Sequence, residues 1–256
     1  MNLPRATPRT TFHEQVVEQL GRDICSGRYR PGQVVPSEPE LCARFAFSRI
    51  VIREAIKSLV AKGMLEVSRR VGTVVLDPAR WNLFDPQVIA WRAESASSDP
   101  NMARDLMELR RIVEPAAVRL AAERASDAER RALRAAYMAM VRAVAGKGDY
   151  VEADLAFHTT ILSACDNQYV RQMQEALSAM LRASFEIVSQ KPGGPAQSLP
   201  MHEAVCVAIE QGDAAAAERA AHLLIAHAET DMREMLQVRR DAPPAPARKR
   251  QAVSVS

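Results

Sequence analysis

The chain has 256 residues, of which 48% are hydrophobic and 25% charged, and this ordinary globular composition excludes wholesale disorder. No stretch approaches the roughly 20 consecutive apolar residues that a membrane span needs, so no membrane partner is expected. The cysteines Cys25, Cys42, Cys165 and Cys206 form no C-x-x-C pair, which favours reduced thiols in a cytoplasm over a disulfide framework. Only 10 glycines, against abundant Ala, Leu, Arg and Glu, predict a mainly α chain.

The net charge of +3 is distributed unevenly along the sequence. Residues 1–76 carry +5, residues 77–240 carry −4 and residues 241–256 carry +2. A small basic segment followed by a larger, slightly acidic one suggests that the first meets a polyanion and the second does something else.

Apolar spacing and capping residues divide residues 10–76 into three helices and a hairpin. A first helix ends at Gly27, which is placed to stop it. Ser37 opens a short second helix, because it and the glutamate three residues later have the spacing of a capping box. Ser48 is a good N-cap for a third helix, and two apolar runs within residues 64–76 flank a turn and predict a hairpin. This order of elements predicts a winged helix-turn-helix domain.

The third helix carries three cations on one face: Arg49, Arg53 and Lys57 recur at i, i+4 and i+8. They repel one another and oppose the helix dipole near the helix start unless something anionic compensates. A DNA major groove supplies that compensation, since the first residues of a recognition helix reach base edges and arginine grips guanine bidentately. The alternative is a solvated basic face paired with glutamates such as Glu54.

The rest of the chain predicts a linker, a helical bundle and a tail. Residues 77–100 are expected to form the linker, with one ordered piece over 81–91 that holds both tryptophans. Residues 101–240 are expected to form an all-helical domain with helices at about 102–125, 127–146, 149–165, 168–190, 198–211 and 213–238. Three of these helices are expected to start at an aspartate: Asp127, Asp149 and Asp213. Residues 241–256, rich in proline and basic residues, are expected to be a disordered tail.

Several polar side chains lie on apolar helical stripes of this second domain. Asp154 and His158, at i and i+4, share the stripe of Val151, Leu155 and Ile161. His202 and His222 also fall on apolar stripes, whereas His227 is turned about 140° from His222 at 100° per residue. A carboxylate on a core face is costly unless it is paired or coordinated, and imidazoles with one carboxylate suit Zn²⁺ or a similar ion. The alternative is that each group is a satisfied core polar residue.

Arg110 presents a similar choice between two interpretations. It falls with apolar residues of its helix rather than on the outside, and Glu114 one turn later offers an i, i+4 ion pair. The functional interpretation is a cation in a cavity that receives a carboxylate ligand.

These residues resemble the GntR-type transcription regulators, in the branch with an all-helical (FCD) effector domain like that of the fatty-acid regulator. The resemblance covers residues 12–238, and its motifs stand here as Pro36-Ser37-Glu38-Pro39-Glu40-Leu41, Ser48-Arg49-Ile50-Val51-Ile52-Arg53-Glu54-Ala55, Glu108 to Glu114, Asp154-Leu155-Ala156-Phe157-His158, His202, and Gly212-Asp213 leading to His222. It implies a homodimer that reads an inverted repeat in double-stranded DNA through Ser37, Arg44, Ser48, Arg49, Arg53, Lys57 and Gly72. It further implies a divalent metal, Zn or else Ni or Mn, held by Asp154, His158, His202 and His222.

Two residues depart from the family pattern: Pro39 stands where arginine is common, and Arg70 replaces one of two wing glycines. The operator sequence is therefore not transferable. Residues 81–91 resemble sugar-acid regulators of the galactonate type, which suggests an aldonic or uronic acid effector meeting the metal and Arg110. We therefore expect a cytoplasmic, ligand-responsive regulator, more readily a repressor than an activator. The rival interpretations are a metal-dependent hydrolase or isomerase, and a constitutive DNA-binding protein whose histidines are structural.

Overall fold

The computed structural model describes residues 11–95 and 100–241 of the chain. It confirms the mainly α fold with an N-terminal winged helix-turn-helix and a C-terminal helical bundle. The N-terminal elements are α1 (Phe12–Cys25), α2 (Glu38–Phe45), α3 (Arg49–Ala61), β1 (Leu65–Ser68) and β2 (Gly72–Val75). The linker holds a short 3-10 turn (Pro78–Arg80) and α4 (Pro86–Glu94).

Local capping sets the boundaries of the N-terminal helices. Glu40 accepts hydrogen bonds from the backbone N–H and the hydroxyl of Ser37, both at 2.7 Å, as the capping-box spacing predicts. The Ser48 hydroxyl accepts from the Val51 N–H at 3.4 Å and starts α3. β1 and β2 pair antiparallel, and this hairpin is the wing.

The linker is packed tightly into the N-terminal core. Trp81 and Trp91 are both buried in the same apolar cluster as α1 and α3. Gly21 on α1 is required for this packing, because a Cβ there would lie 2.4 Å from the Trp91 ring. Gly63, with φ of +71°, similarly lets the backbone carbonyl of Arg80 approach. The linker helix α4 also packs against α9 of the second domain.

The second domain consists of α5 (Pro100–Arg124), α6 (Asp127–Val144), α7 (Tyr150–Ala164), α8 (Gln168–Gln172), α9 (Gln174–Val188), α10 (Gly194–Gln211) and α11 (Ala214–Asp241). The helix expected over 168–190 is interrupted at Met173, and α10 begins four residues before the expected 198. Ser126 caps α6 with a capping box, so Asp127 is the first helical residue rather than the cap. The tail expected over 241–256 lies outside the described residues from 242 onward.

α7 lies at the centre of this bundle, in contact with α5, α6 and α9. Phe157 on α7 is fully buried in the core. α10 and α11 pack against each other and against α5. The inner faces of α7, α10 and α11 therefore converge, and the candidate site lies where they meet. Across the described residues, no helix has the length and apolarity to cross a membrane.

Candidate metal and effector site and DNA-binding surface

Three of the predicted metal ligands meet in the bundle: Asp154 and His158 from α7, and His202 from α10. The Asp154 Oδ1 lies 3.4 Å from the His158 Nε2 and 3.2 Å from the His202 Nε2. All three side chains are at least 94% buried. One atom from each lies within 4.8 Å of the others, a grouping suited to a metal ion. We call these residues the triad.

Each histidine of the triad is oriented by a hydrogen bond at its other nitrogen. The His158 Nδ1 lies 2.8 Å from the Glu114 Oε2, and the His202 Nδ1 donates to the Ser198 carbonyl at 2.9 Å. Because a carbonyl only accepts, the neutral His202 ring carries its proton on Nδ1. Both Nε2 atoms therefore face the triad, and such outer carboxylate and carbonyl partners are those that metal-binding histidines use.

The contact between Asp154 and His202 in the triad is short of a positive charge. The Asp154 Oδ1 and the His202 Nε2 are buried and have no hydrogen-bond partner in the described structure. With the proton of His202 on Nδ1, these two atoms turn lone pairs toward each other at 3.2 Å. A cation between them relieves that repulsion, and ligands bound tetrahedrally at about 2.1 Å lie about 3.4 Å apart. The residues present therefore fit a small divalent ion.

The pKa values around the triad show the same preference for added positive charge. Burial alone would lower the pKa of His158, but the Glu114 and Asp154 carboxylates overcome it and raise that pKa to about 9. Burial alone would raise the pKa of Glu114, but Arg110 and His158 hold it at about 2. The pKa of Asp154 is likewise lowered, against its burial, by the two histidines. Both carboxylates are therefore ionised at neutral pH.

Arg110 combines the two interpretations that its sequence position leaves open. Its Nε donates to the Glu114 Oε1 at 2.6 Å, which is the predicted i, i+4 ion pair. One terminal nitrogen also donates to the Ser184 hydroxyl at 2.8 Å, and the guanidinium lies 5.0 Å from the Phe185 ring centre. Arg110 nevertheless lines the cavity beside the triad. It is thus anchored by Glu114 and faces the space where a ligand would bind.

The cavity extends from the triad toward the start of α10 and the middle of α11. It encloses about 30 Å³, room for one or two water molecules. A larger ligand therefore requires its walls to move. Besides Arg110 and the triad, its lining consists of Tyr150, Phe185, Val188, Ser189, Gly194, Pro195, Ser198, Leu224, His227, Ala228 and Asp231.

The structure does not bring the fourth predicted ligand, His222, to the triad. His222 is exposed on the outer face of α11, and Leu224 of the same helix lines the cavity instead. The error arises because α11 is buried on two sides, so that the stripe containing Ile225 packs against α5 and α9 rather than toward the triad. His227, which the sequence turns away from His222, is the α11 histidine in the cavity.

The predicted recognition helix α3 presents its cations to solvent. Arg49, Arg53 and Lys57 are all exposed. Arg53 donates to Glu38 at the start of α2 through Nε and a terminal nitrogen, at 3.3 and 3.1 Å. Lys57 pairs with Glu54 at 2.9 Å, so the i+4 alternative of the sequence becomes an i+3 pair here. These exposed pairs are weak and leave the basic surface open to a polyanion.

The other predicted DNA contacts are the helix-capping serines Ser37 and Ser48, Gly72 of the wing, and Arg44. Ser37 and Ser48 cap α2 and α3 and are exposed. Gly72 begins β2 with φ of +107°, beside the exposed turn of the wing. Arg44 is tied to the interior, because a terminal nitrogen donates to the buried Asp23 at 2.7 Å and another to the Tyr29 hydroxyl at 3.1 Å. The sequence does not signal this anchor.

The sequence alone does not assign two residues, Glu114 and Asp231, to the site. Glu114 is expected only as a partner of Arg110, yet it also orients His158. Asp231 is buried, lines the cavity and binds Lys191 at 2.6 Å. Asp231 follows His227 by four residues on α11, and this spacing is the one signal of the pair in the sequence. Only the packing of α11 shows that this side of the helix faces the cavity.

Comparisons with known proteins agree with this architecture. The family described as bacterial regulatory proteins, gntR family, matches residues 12–75, and the FCD domain matches residues 105–227. The galactonate operon transcriptional repressor of Escherichia coli (strain K12) is 35% identical over 224 residues, 87% of this chain and 97% of that protein. The uncharacterized HTH-type transcriptional regulator YieP of the same strain is 29% identical over 212 residues, covering 82% and 90%.

A solved structure shares the fold. It is Lar, described as controlling the expression of the Listeria monocytogenes agr system, and it aligns with a TM-score of 0.61 at 19% identity, covering 89% of this chain and 99% of that one.

Proposed function

The chain belongs to the GntR family of bacterial regulatory proteins, with an FCD domain after its DNA-binding domain, and we propose that it represses a sugar-acid catabolic operon until its effector binds beside a metal. It is a DNA-binding transcription regulator and not an enzyme, so the hydrolase or isomerase alternative is set aside. The galactonate repressor similarity supports the class of operon.

The observation that carries the effector proposal is the unpaired centre of the triad. A buried Asp154 Oδ1 and His202 Nε2 without hydrogen-bond partners are costly in a domain that only needs a stable core. The cost is explained if the site exists to bind. A constitutive DNA-binding protein with structural histidines would satisfy these atoms within the fold.

Asp154, His158 and His202 would hold the metal, with Zn²⁺ the first candidate and Ni²⁺ or Mn²⁺ the others. When bound, the ion supplies a positive charge and open coordination positions for a carboxylate. Arg110 adds a second positive charge to the cavity, held in place by Glu114, which also contacts His158. A small carboxylate such as an aldonic or uronic acid fits this combination of charges.

The DNA-binding side of the proposal rests on α3 and the wing. In a homodimer, two such domains would read an inverted repeat, because two-fold protein symmetry imposes two-fold operator symmetry. Arg49 and Arg53 would reach base edges, while Lys57, Arg44 and the N-cap serines Ser37 and Ser48 would position the domain on phosphates. Binding to chromosomal DNA places this activity in the cytoplasm.

α5 offers a physical connection between the two sites. It carries Arg110 in the effector cavity, and its Leu106 and Leu109 line an apolar cavity of about 230 Å³. The same cavity is also lined by Ile89 of the linker helix α4, whose Trp91 is buried in the N-terminal core. A movement of α5 on effector binding therefore reaches the DNA-binding domain through α4. By linkage, effector and operator must weaken each other equally.

The test begins with selection of an operator from random DNA duplexes, followed by fluorescence anisotropy with the Zn²⁺-loaded protein. We expect at least one aldonic or uronic acid to weaken operator binding by about 5- to 150-fold, the usual range of allosteric coupling. Arg49→Ala should weaken operator binding by about 5- to 150-fold without effector, as for the loss of a bidentate base contact. If no acid changes the affinity of the metal-loaded protein, the effector proposal is wrong.

A further inference from the structure

The effector cavity carries a second polar group of residues besides the triad. His227 and Asp231 lie one turn apart on α11 and both line the cavity. The Asp231 Oδ1 accepts from the Lys191 Nζ at 2.6 Å, and Lys191 also pairs with Glu234 at 2.8 Å. We call His227 and Asp231 the α11 pair.

The α11 pair is buried and incompletely satisfied. Asp231 is 4% exposed, and the His227 Nε2 is a buried atom with no hydrogen-bond partner in the described structure. This Nε2 lies 3.4 Å from the Asp231 Oδ2, but the two do not form a hydrogen bond. A purely structural pair on one helix would close that gap, because an unmade buried hydrogen bond costs more than a made one gains.

A hydroxyl group that lies beside the pair and hydrogen-bonds to both side chains matches their chemistry. It donates one hydrogen bond and accepts another, so it can give its proton to the Asp231 carboxylate and accept from the His227 ring. A carboxylate of the ligand does not fit, since it only accepts and carries the same charge as Asp231. Lys191 pairs with Asp231 and Glu234 together, so it does not leave a surplus positive charge for a second anion.

We infer that the α11 pair determines effector specificity: it binds a hydroxyl at the far end of the effector and rejects a second carboxylate there. The inference rests on the proposed function, because it assumes that the effector carboxylate lies at the triad and Arg110. It narrows the effector class to polyhydroxylated acids with one carboxylate, and it disfavours dicarboxylic acids of the same length.

The experiment compares matched acids that differ only at the far carbon. Isothermal titration calorimetry on the full-length, Zn²⁺-loaded protein would use galactonate with galactarate, gluconate with glucarate, and mannonate with mannarate. We expect at least one monocarboxylate to bind about 10-fold or more tightly than its dicarboxylate partner. Asp231→Asn should bring that ratio to within about 3-fold, because it removes the repelling charge and keeps the shape.

His227→Gln is the second variant, since it does not touch the Lys191 pairing and is expected to fold. It should weaken monocarboxylate binding by about 5- to 10-fold, and binding of the dicarboxylate much less. Thr230→Ala, exposed on the same helix, is the matched control and should leave both affinities unchanged. Metal content and thermal melting of each variant show that the triad and the fold are intact.

The possible outcomes distinguish a failure of this inference from a failure of the proposed function. If a monocarboxylate binds and releases the operator but both α11 variants keep the wild-type affinities and ratio, the α11 pair is only structural and the inference is wrong. If the dicarboxylates bind as tightly as their partners, the charge argument fails. If no acid of either class binds the metal-loaded protein, the proposed effector site itself fails and the inference falls with it.

Discussion

Among the described residues, the N-terminal domain buries Asp23 and the C-terminal domain buries Asp154 and Asp231. Asp23 and Asp154 are stabilised in opposite ways. Asp23 on α1 is 6% exposed and Asp154 on α7 is 4% exposed. Asp23 accepts hydrogen bonds from Arg44 at 2.7 Å, from Arg28 at 3.3 Å and from Gln19 at 3.1 Å. Asp154 instead leaves its Oδ1 without a hydrogen bond.

One of these buried charges serves the fold and the other serves binding. Burying a carboxylate costs several kcal/mol in either domain. The N-terminal domain offsets that cost with its own arginines, which is the solution of a structural ion pair. The C-terminal domain places its carboxylate between His158 and His202, and the free nitrogen of His202 accepts rather than donates. The Asp154 Oδ1 and the His202 Nε2 therefore leave a position that a cation from outside can fill.

Asp154→Asn should reduce Zn²⁺ affinity by ~100-fold or more, because losing even an outer partner of a metal site costs about 10–100-fold. Competition with a chromogenic chelator measures it. The metal-free variant should melt only slightly below the metal-free wild type, because the amide loses the ion pair with His158 but also removes a buried charge.

Asp213→Asn, at the start of α11, is the control and should keep wild-type Zn²⁺ affinity. A metal-free Asp154→Asn protein that melts far below the metal-free wild type would mean that Asp154 serves the fold as Asp23 does, and the contrast would be lost.

The sequence predicts three members of this site but not their complete surroundings. Asp154, His158 and His202 are found because a helical stripe and an i, i+4 spacing are local properties. Glu114 and Asp231 lie on other helices, and which face of α5 or α11 meets α7 depends on packing that no local period encodes. His222, which is predicted in the site but lies outside it, shows the same limit: α11 buries two faces, and the apolar stripe alone does not say which face meets the cavity.

The N-terminal fold is predicted more completely, and for a physical reason. The capping serines Ser37 and Ser48, and Gly27, place helix ends by interactions within a few residues. The wing follows from a turn between two short apolar runs. What the sequence misses there is again tertiary: the pairing of Arg44 with Asp23, and the insertion of Trp91 against Gly21.

Asp23→Asn should destabilise the N-terminal domain by about 1.5–3 kcal/mol, the range for a hydrogen bond to a charged group. The contribution of Arg28 is discounted because its side chain is 48% exposed. Urea unfolding followed by tryptophan fluorescence measures this, since Trp81 and Trp91 both lie in the N-terminal core.

Asp154→Asn provides the matched comparison, because it should leave the tryptophan-detected transition in place. Equal shifts from the two substitutions would show that the domains unfold as one unit and that the contrast between the aspartates is not local.

Glu38→Gln extends the contrast to an exposed carboxylate and should have the smallest effect. Glu38 holds Arg53 at 3.1 Å, and the Arg53 side chain is 61% exposed, so the pair contributes little to stability. To contact DNA, Arg53 must leave Glu38, and Glu38 itself repels the phosphates. We therefore expect the substitution to leave the urea midpoint unchanged and to tighten operator binding by about 2- to 5-fold at low salt, with a smaller gain as added salt screens the charge.

Glu54→Gln, which frees Lys57 by the same chemistry, separates the two explanations of the gain. If both variants tighten binding equally, the loss of a negative charge accounts for the gain. A larger gain for Glu38→Gln identifies release of Arg53 as its cause.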